Sequence, residues 1–174
     1  MKLTFFVLFF IVSNSHAYRL GSSLGNYELV NKTNEKISFP SSITHPFIFA
    51  IGYSTCHSVC PRNLSIIRKI VRKSKGKLAG GFISVEEGDK RVERSLAMAM
   101  EFKELTFMFS GKHSVREIVD DLRAQVRVGY SKGKSYIFQH TDSIYLYNVH
   151  NQSVHFYNPT EISLEKVLAD LEAK

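Results

Sequence analysis

Residues 47–85 read FIFAIGYSTCHSVCPRNLSIIRKIVRKSKGKLAGGFISV, and this stretch decides the fold. Phe47-Ile48-Phe49-Ala50-Ile51 is a continuous apolar run ended by Gly52, the pattern of a strand buried on both faces. Pro61 suits the first position of a helix, and Leu64, Ile67, Ile70 and Val71 place an apolar stripe on one face before Gly76 closes the segment. Phe82-Ile83-Ser84-Val85 is the next buried strand. A strand, a helix and a strand joined by a crossover of this length form a right-handed parallel unit.

Working outward, the chain predicts a helix at about Val92 to Phe102, a short strand from Thr106 to Phe109, and a helix from about Ser114 to Leu122. Tyr136 to Phe138 leads into His140, and Ile144 to Tyr147 pairs with Val154 to Tyr157 across the turn Asn148 to Ser153. A last helix, about Ile162 to Leu171, turns Ile162, Leu164, Val167, Leu168 and Leu171 toward the core. Upstream, Tyr18 to Ser42 is polar and turn-rich, with Tyr27, Leu29, Ile37 and Phe39 suited to a hairpin around Asn31 to Lys36. This order of elements is thioredoxin-like: an α/β class chain with a central mixed sheet flanked by helices. In such open sheets function gathers where strands end and helices begin, and Cys56 and Cys60 occupy that crevice.

The 174 residues fit one domain, residues 18–174, once a targeting segment is set aside. Met1 to Ala17 reads as a signal peptide, with Lys2 as the positive region, Leu3 to Val12 as the apolar stretch and Ser15-His16-Ala17 as the cleavage site. The apolar stretch is roughly half the ~20 residues that cross a bilayer, so cleavage and export to the periplasm are expected. A retained leader would instead leave the protein membrane-associated. The formal net charge of +7 is diffuse, its densest part being Arg68, Lys69, Arg72, Lys73, Lys75 and Lys77 at the end of a helix, where cations complement the dipole. No stacking aromatics interleave these cations, which argues against a nucleic-acid partner and leaves attraction to an acidic membrane surface or protein.

Cys56-His57-Ser58-Val59-Cys60-Pro61 sets two thiols four positions apart in the loop leading into a helix. Unpaired N–H groups at a helix N-terminus favour thiolate over thiol, which raises both nucleophilicity and metal affinity. Two converging thiolates make a soft ligand pair, and one added imidazole gives a three-coordinate site suited to Cu(I). The competing account is a disulfide that pins the loop. A bridge across so short a loop restricts little of the unfolded chain, so stapling alone does not explain this position.

Tyr53-Ser54-Thr55-Cys56-x-x-x-Cys60-Pro61, with Phe82-Ile83-Ser84-Val85 downstream and Tyr136-Ile137-x-x-His140 followed by Ile144-Tyr145-Leu146, resembles the SCO/SenC family of copper proteins. The order and spacing hold from roughly Tyr27 to Leu171. The resemblance implies copper, as Cu(I) or Cu(II), held by Cys56, Cys60 and His140, and a role in maturing the binuclear copper centre of cytochrome c oxidase. It also implies that Cys56 and Cys60 form a redox-active dithiol, and that the partners are the copper-bearing oxidase subunit and an upstream copper donor. The chain departs from the family pattern at His57-Ser58, where Pro-Asp is common, at Gln139, where an acidic residue often precedes the histidine, and at Glu86-Glu87-Gly88-Asp89. These changes leave the three ligands in place and alter the groups that orient them. His57 stands as a competing ligand.

Two other readings use the same residues. The first is a thiol-disulfide oxidoreductase or peroxidase without a copper role. Exchange enzymes of this fold use Cys-x-x-Cys with a cis proline at the hairpin entrance, where this chain has His140-Thr141-Asp142-Ser143. The second is a binding module that kept the fold and lost the metal. His45, His113, His150 and His155 read as ordinary surface residues, and Met98 to Phe102 and Phe107 to Phe109 read as core.

Overall fold

The computed structural model describes residues 18–20, 24–53, 56, 58–85, 97–110, 114–131 and 134–173. The leader, His57, the turn Glu86 to Asp89, the Val92 start of the second helix and His113 lie outside the described residues.

Among the described residues, ten strands and three helices run in the order β1 (Tyr18–Leu20), β2 (Tyr27–Asn31), β3 (Lys36–Phe39), β4 (Phe47–Gly52), α1 (Val59–Lys73), β5 (Ala79–Ser84), β6 (Thr106–Ser110), α2 (Ser114–Asp121), β7 (Val126–Ser131), β8 (Lys134–His140), β9 (Ile144–Asn148), β10 (Ser153–Tyr157) and α3 (Leu164–Glu172). A further helical stretch covers 97–101. Eight strands form one mixed sheet, ordered β1-β10-β9-β4-β5-β6-β2-β3, while β7 and β8 form a separate ribbon. This is the thioredoxin-like architecture that the element order predicts.

The β4-α1-β5 unit is as expected. β4 and β5 pair in parallel, Phe47 with Ala79 through Gly52 with Ser84, and every residue of β4 is buried. Alternate residues serve two cores, because successive side chains point to opposite faces of a sheet. Ile48, Ala50 and Phe82 pack with Cys60, Leu64, Ile67 and Ile70 of α1 and Val167 of α3. Phe49, Ile51 and Ile83 pack on the other face with Ile118 and Leu122, at and just beyond α2. The sheet is therefore covered on both sides, which is why β4 reads as an unbroken apolar run; β5 begins at Ala79, three residues ahead of the Phe82 expected from sequence.

Four expectations need correction. α1 begins at Val59 rather than Pro61, so Pro61 is the third helical residue. That position is still within the first turn, where a missing N–H breaks no intrahelical bond. The closing helix starts at Leu164, with Ser163 as its cap, and Ile162 packs against the core from outside it. The segment before Ser42 is more than an approach to the sheet: β1 pairs antiparallel with β10 at one edge, and β2 pairs with β6 near the other. Fourth, His155 is buried at 7% exposure, because β1 makes β10 an inner strand; a ring nitrogen of His155 lies 3.1 Å from Ser153 Oγ.

Candidate metal centre

The site grows out of the C-terminal end of β4. Gly52 ends the strand beside Ser84 of β5, and Cys60 of α1 lies directly above it. A Cβ on Gly52 would stand 2.4 Å from Cys60 Sγ and 3.0 Å from the Phe82 ring. Any side chain there would push the sulfur off the strand end, so this glycine sets where the thiol lies.

Cys56 closes the helix end that follows. Ser58 at the start of α1 makes no side-chain capping bond, and the first turn holds no acidic residue. Cys60 N–H instead donates to Cys56 Sγ at 3.2 Å, so a sulfur takes the place of the usual oxygen cap. Both cysteines are unlinked, with Cys56 7% and Cys60 1% exposed.

His140 arrives from far along the chain, at the end of β8, with its ring turned onto the sulfurs. Nε2 lies 3.7 Å from Cys56 Sγ and 3.4 Å from Cys60 Sγ. Nδ1 lies 3.0 Å from the Thr141 carbonyl oxygen; that oxygen can only accept, so Nδ1 carries the proton and Nε2 is the atom left for the site. Tyr53 stands edge-on to the imidazole, with ring centroids 5.4 Å apart and planes at 88°.

The electrostatics separate the two thiols. The Cys60 hydrogen bond holds Cys56 at about 3, well under the ordinary thiol range, against the upward push of burial; His140 and the backbone at Cys60 and Ser58 act in the same direction. Cys60 is pushed up, because it gives its hydrogen to Cys56, is buried and faces the Cys56 charge. Burial pulls His140 down, but its bonds to Cys56 and the Thr141 carbonyl, and the charges of Cys56 and Asp142, leave it raised. Cys56 is thus favoured as the thiolate of the pair and Cys60 as the thiol.

The ligand atoms of Cys56, Cys60 and His140 all lie within 4.8 Å of one another. Bonds of ~2.3 Å to sulfur and ~2.0 Å to nitrogen, the values for zinc, place trigonal ligand atoms roughly 3.7–4.0 Å apart. The observed separations are close to that, so the residues fit a soft ion in a three-coordinate pocket. Binding would displace the Cys60 thiol proton, together with any proton on His140 Nε2, and leave every ligand in its metal-holding form.

All three sequence-predicted ligands meet here. His45 and His150 are exposed and belong to other parts of the surface. Gly52 and the residues that hold the His140 loop, Asn63 and Asp142, were not singled out in the sequence. Gly52 carried a signal, as the residue between a buried strand and a cysteine loop. The Asn63–Asp142 contact carried none, because it joins positions 79 residues apart.

A family model described as SCO1/SenC matches residues 17–174. Among solved structures the chain is similar to ScoI of Bradyrhizobium japonicum with copper bound, at 22% identity, TM-score 0.70, and coverage of 87% of this chain and 98% of that one. It is similar to yeast Sco1 with copper bound at 16% identity, TM-score 0.70, and coverage of 88% and 91%. It is also similar to BsSco, described as having a disulfide switch and as a member of the Sco family of cytochrome c oxidase assembly proteins, at 16% identity, TM-score 0.65, and coverage of 90% and 95%. No curated protein sequence matches the chain. At these identities the structural likeness speaks for the fold alone.

Proposed function

The chain belongs to the SCO1/SenC family, and from that premise we propose that it binds one copper ion at Cys56, Cys60 and His140 and helps assemble the copper centre of cytochrome c oxidase. The observation that carries this reading is the convergence of the three ligand atoms, within 4.8 Å, from a helix end and a distant loop. The solved relatives that hold copper support the choice of metal. So does the chemistry, since two sulfurs and one imidazole are a soft donor set that suits Cu(I). Copper is cargo in this reading. The oxidase subunit's own thiolates would take it by stepwise exchange of ligands, after loading from an upstream donor.

The unequal thiols favour a second role for the same site. Cys56, as thiolate, can attack a disulfide of the partner subunit, forming a mixed disulfide and releasing one partner thiolate. Cys60, once it loses its proton, attacks the Cys56 sulfur and releases the second partner thiol. The pair ends as a Cys56–Cys60 disulfide, and two electrons have passed to the partner. The leader at Met1 to Ala17 supports an exported, periplasmic protein, with peripheral membrane contact through its cations. Among the described residues no helix is long and apolar enough to cross a membrane.

The test is to load the reduced mature protein with copper, desalt it and measure the metal retained. About one copper per chain is expected, lost in Cys56→Ala, Cys60→Ala and His140→Ala. Equal retention by wild type and His140→Ala would rule the site out. Turnover of a disulfide substrate by the copper-free protein would favour the reductase role.

A further inference from the structure

The loop that carries His140 is tied at two points. On one side, Thr141 N–H donates to the Gln125 carbonyl at 2.9 Å, and Gln125 N–H donates to Thr141 Oγ1 at 2.6 Å, which joins the loop to the chain entering β7. On the other, the Asp142 carboxylate receives Arg62 Nη2 through one oxygen and the Asn63 side-chain amide through the other, at 3.0 Å. Both of these donors belong to α1, the helix that carries Cys60.

The two donors differ in kind. Arg62 and Asp142 are 47% and 42% exposed, and an ion pair so wetted holds little. Asn63 is 1% exposed, so its amide is fixed by its surroundings and Asp142 supplies the acceptor that it needs. Asn63 also stands three residues after Cys60, which places the two on neighbouring positions of one helix face. The Asn63 bond therefore references the histidine loop to the same helical turn that places the sulfur.

We propose that Asn63 and Asp142 are positioning residues, a clamp that holds the His140 imidazole over the two sulfurs before any metal arrives. The inference rests on the copper reading for its consequence and not for its geometry. Without the clamp, the loop keeps its tie to Gln125 but loses its registry with α1, and Nε2 no longer meets both sulfurs at once. Groups that orient metal ligands in this way are worth about 10–100-fold in metal affinity.

The test compares wild type with Asn63→Ala, Asp142→Ala, Asp142→Asn and Arg62→Ala, using two readouts. The first is the His140 Nδ1–H resonance in the reduced, copper-free protein, which the bond to Thr141 protects from exchange. The second is Cu(I) affinity by competition with a chromogenic chelator. Asp142→Ala and Asn63→Ala are expected to lose the resonance and about 10–100-fold in affinity. Asp142→Asn, which keeps an acceptor for Asn63, should fall between them and wild type, and Arg62→Ala should lose least. Should Asn63→Ala fail to fold, the two Asp142 variants, on an exposed loop, decide the question. The clamp is overturned if Asp142→Ala keeps both the resonance and the wild-type affinity, or if Arg62→Ala loses as much as the other variants. A wild type that shows the clamp-dependent resonance and binds no copper would sink the copper reading and leave the clamp standing.

Discussion

The N-termini of α1 and α3 solve the same problem in opposite ways. At α3, Ser163 accepts the Lys166 N–H at 3.2 Å, and Glu165 puts a negative charge in the first turn. The helix end is closed by its own residues, as elementary capping chemistry requires. At α1, Ser58 makes no such bond, no acidic residue is present in the first turn, and the free Cys60 N–H is taken by the Cys56 sulfur. One end is finished for stability. The other leaves its positive field to act on a thiol, so the charge that would have come from a carboxylate comes from the ligand itself.

The sharpest way to break this contrast is to titrate the sulfur. Thiolate absorbance near 240 nm should persist as pH falls through 7 and 5 toward about 3, and should vanish from this range in Cys56→Ser. Folding lowers this pKa, so the stability it contributes grows as pH rises from about 3 and is complete only above the ordinary thiol value of about 8.5. An ordinary thiol titration near that value would show that neither the Cys60 thiol, nor His140, nor the helix end holds Cys56 down. A smaller but still large effect is expected from Gly52→Val, whose Cβ alone would meet Cys60 Sγ and Phe82. Overpacking of this kind costs about 1–3 kcal/mol, readable by urea unfolding, and should reduce copper retention as well. The smallest effect compares the caps directly. Ser163→Ala should cost about 1 kcal/mol and leave copper retention alone, while Ser58→Ala should stay within ~0.5 kcal/mol of wild type. Equal costs at the two serines would remove the distinction between the ends.

The parts of the fold that were legible are those with a strong local pattern. The apolar run of β4, the stripe of α1 and the two apolar runs of β9 and β10 across their turn each lie within about one helix or hairpin, where local pattern reports burial and pairing. β1 has three residues and exists because β10 offers it an edge. β7 was not predicted at all. Its sequence, VRVGYS, does alternate Val126, Val128 and Tyr130 with Arg127, Gly129 and Ser131, but the run is short and among the described residues it pairs with β8 alone, outside the main sheet. His155 was misread for a related reason, since a histidine beside a hairpin turn looks exposed until a neighbouring strand covers it.

The candidate site divides along the same line. Two sulfurs four residues apart beside a strand-to-helix junction announce a reactive pair, because the loop and the helix field are local properties of the chain. His140 entered through resemblance to a family, since no local rule connects it to residues 84 and 80 positions earlier. The distances from its Nε2 to the sulfurs, the edge-on contact with Tyr53 and the Asn63–Asp142 tie exist only once β8 and α1 are brought to the same end of the sheet.

By itself, then, the sequence determined the parallel β4-α1-β5 unit, the place of the thiols at its crevice and the soft character of the ligands, because short-range periodicity and residue chemistry settle these. Only the tertiary structure decided that Cys56 is held down and Cys60 pushed up, that the imidazole faces both, and that the missing side chain of Gly52 leaves room for the Cys60 sulfur. Those outcomes depend on burial and on hydrogen bonds across the sheet end, which arise when distant segments meet and displace water between them.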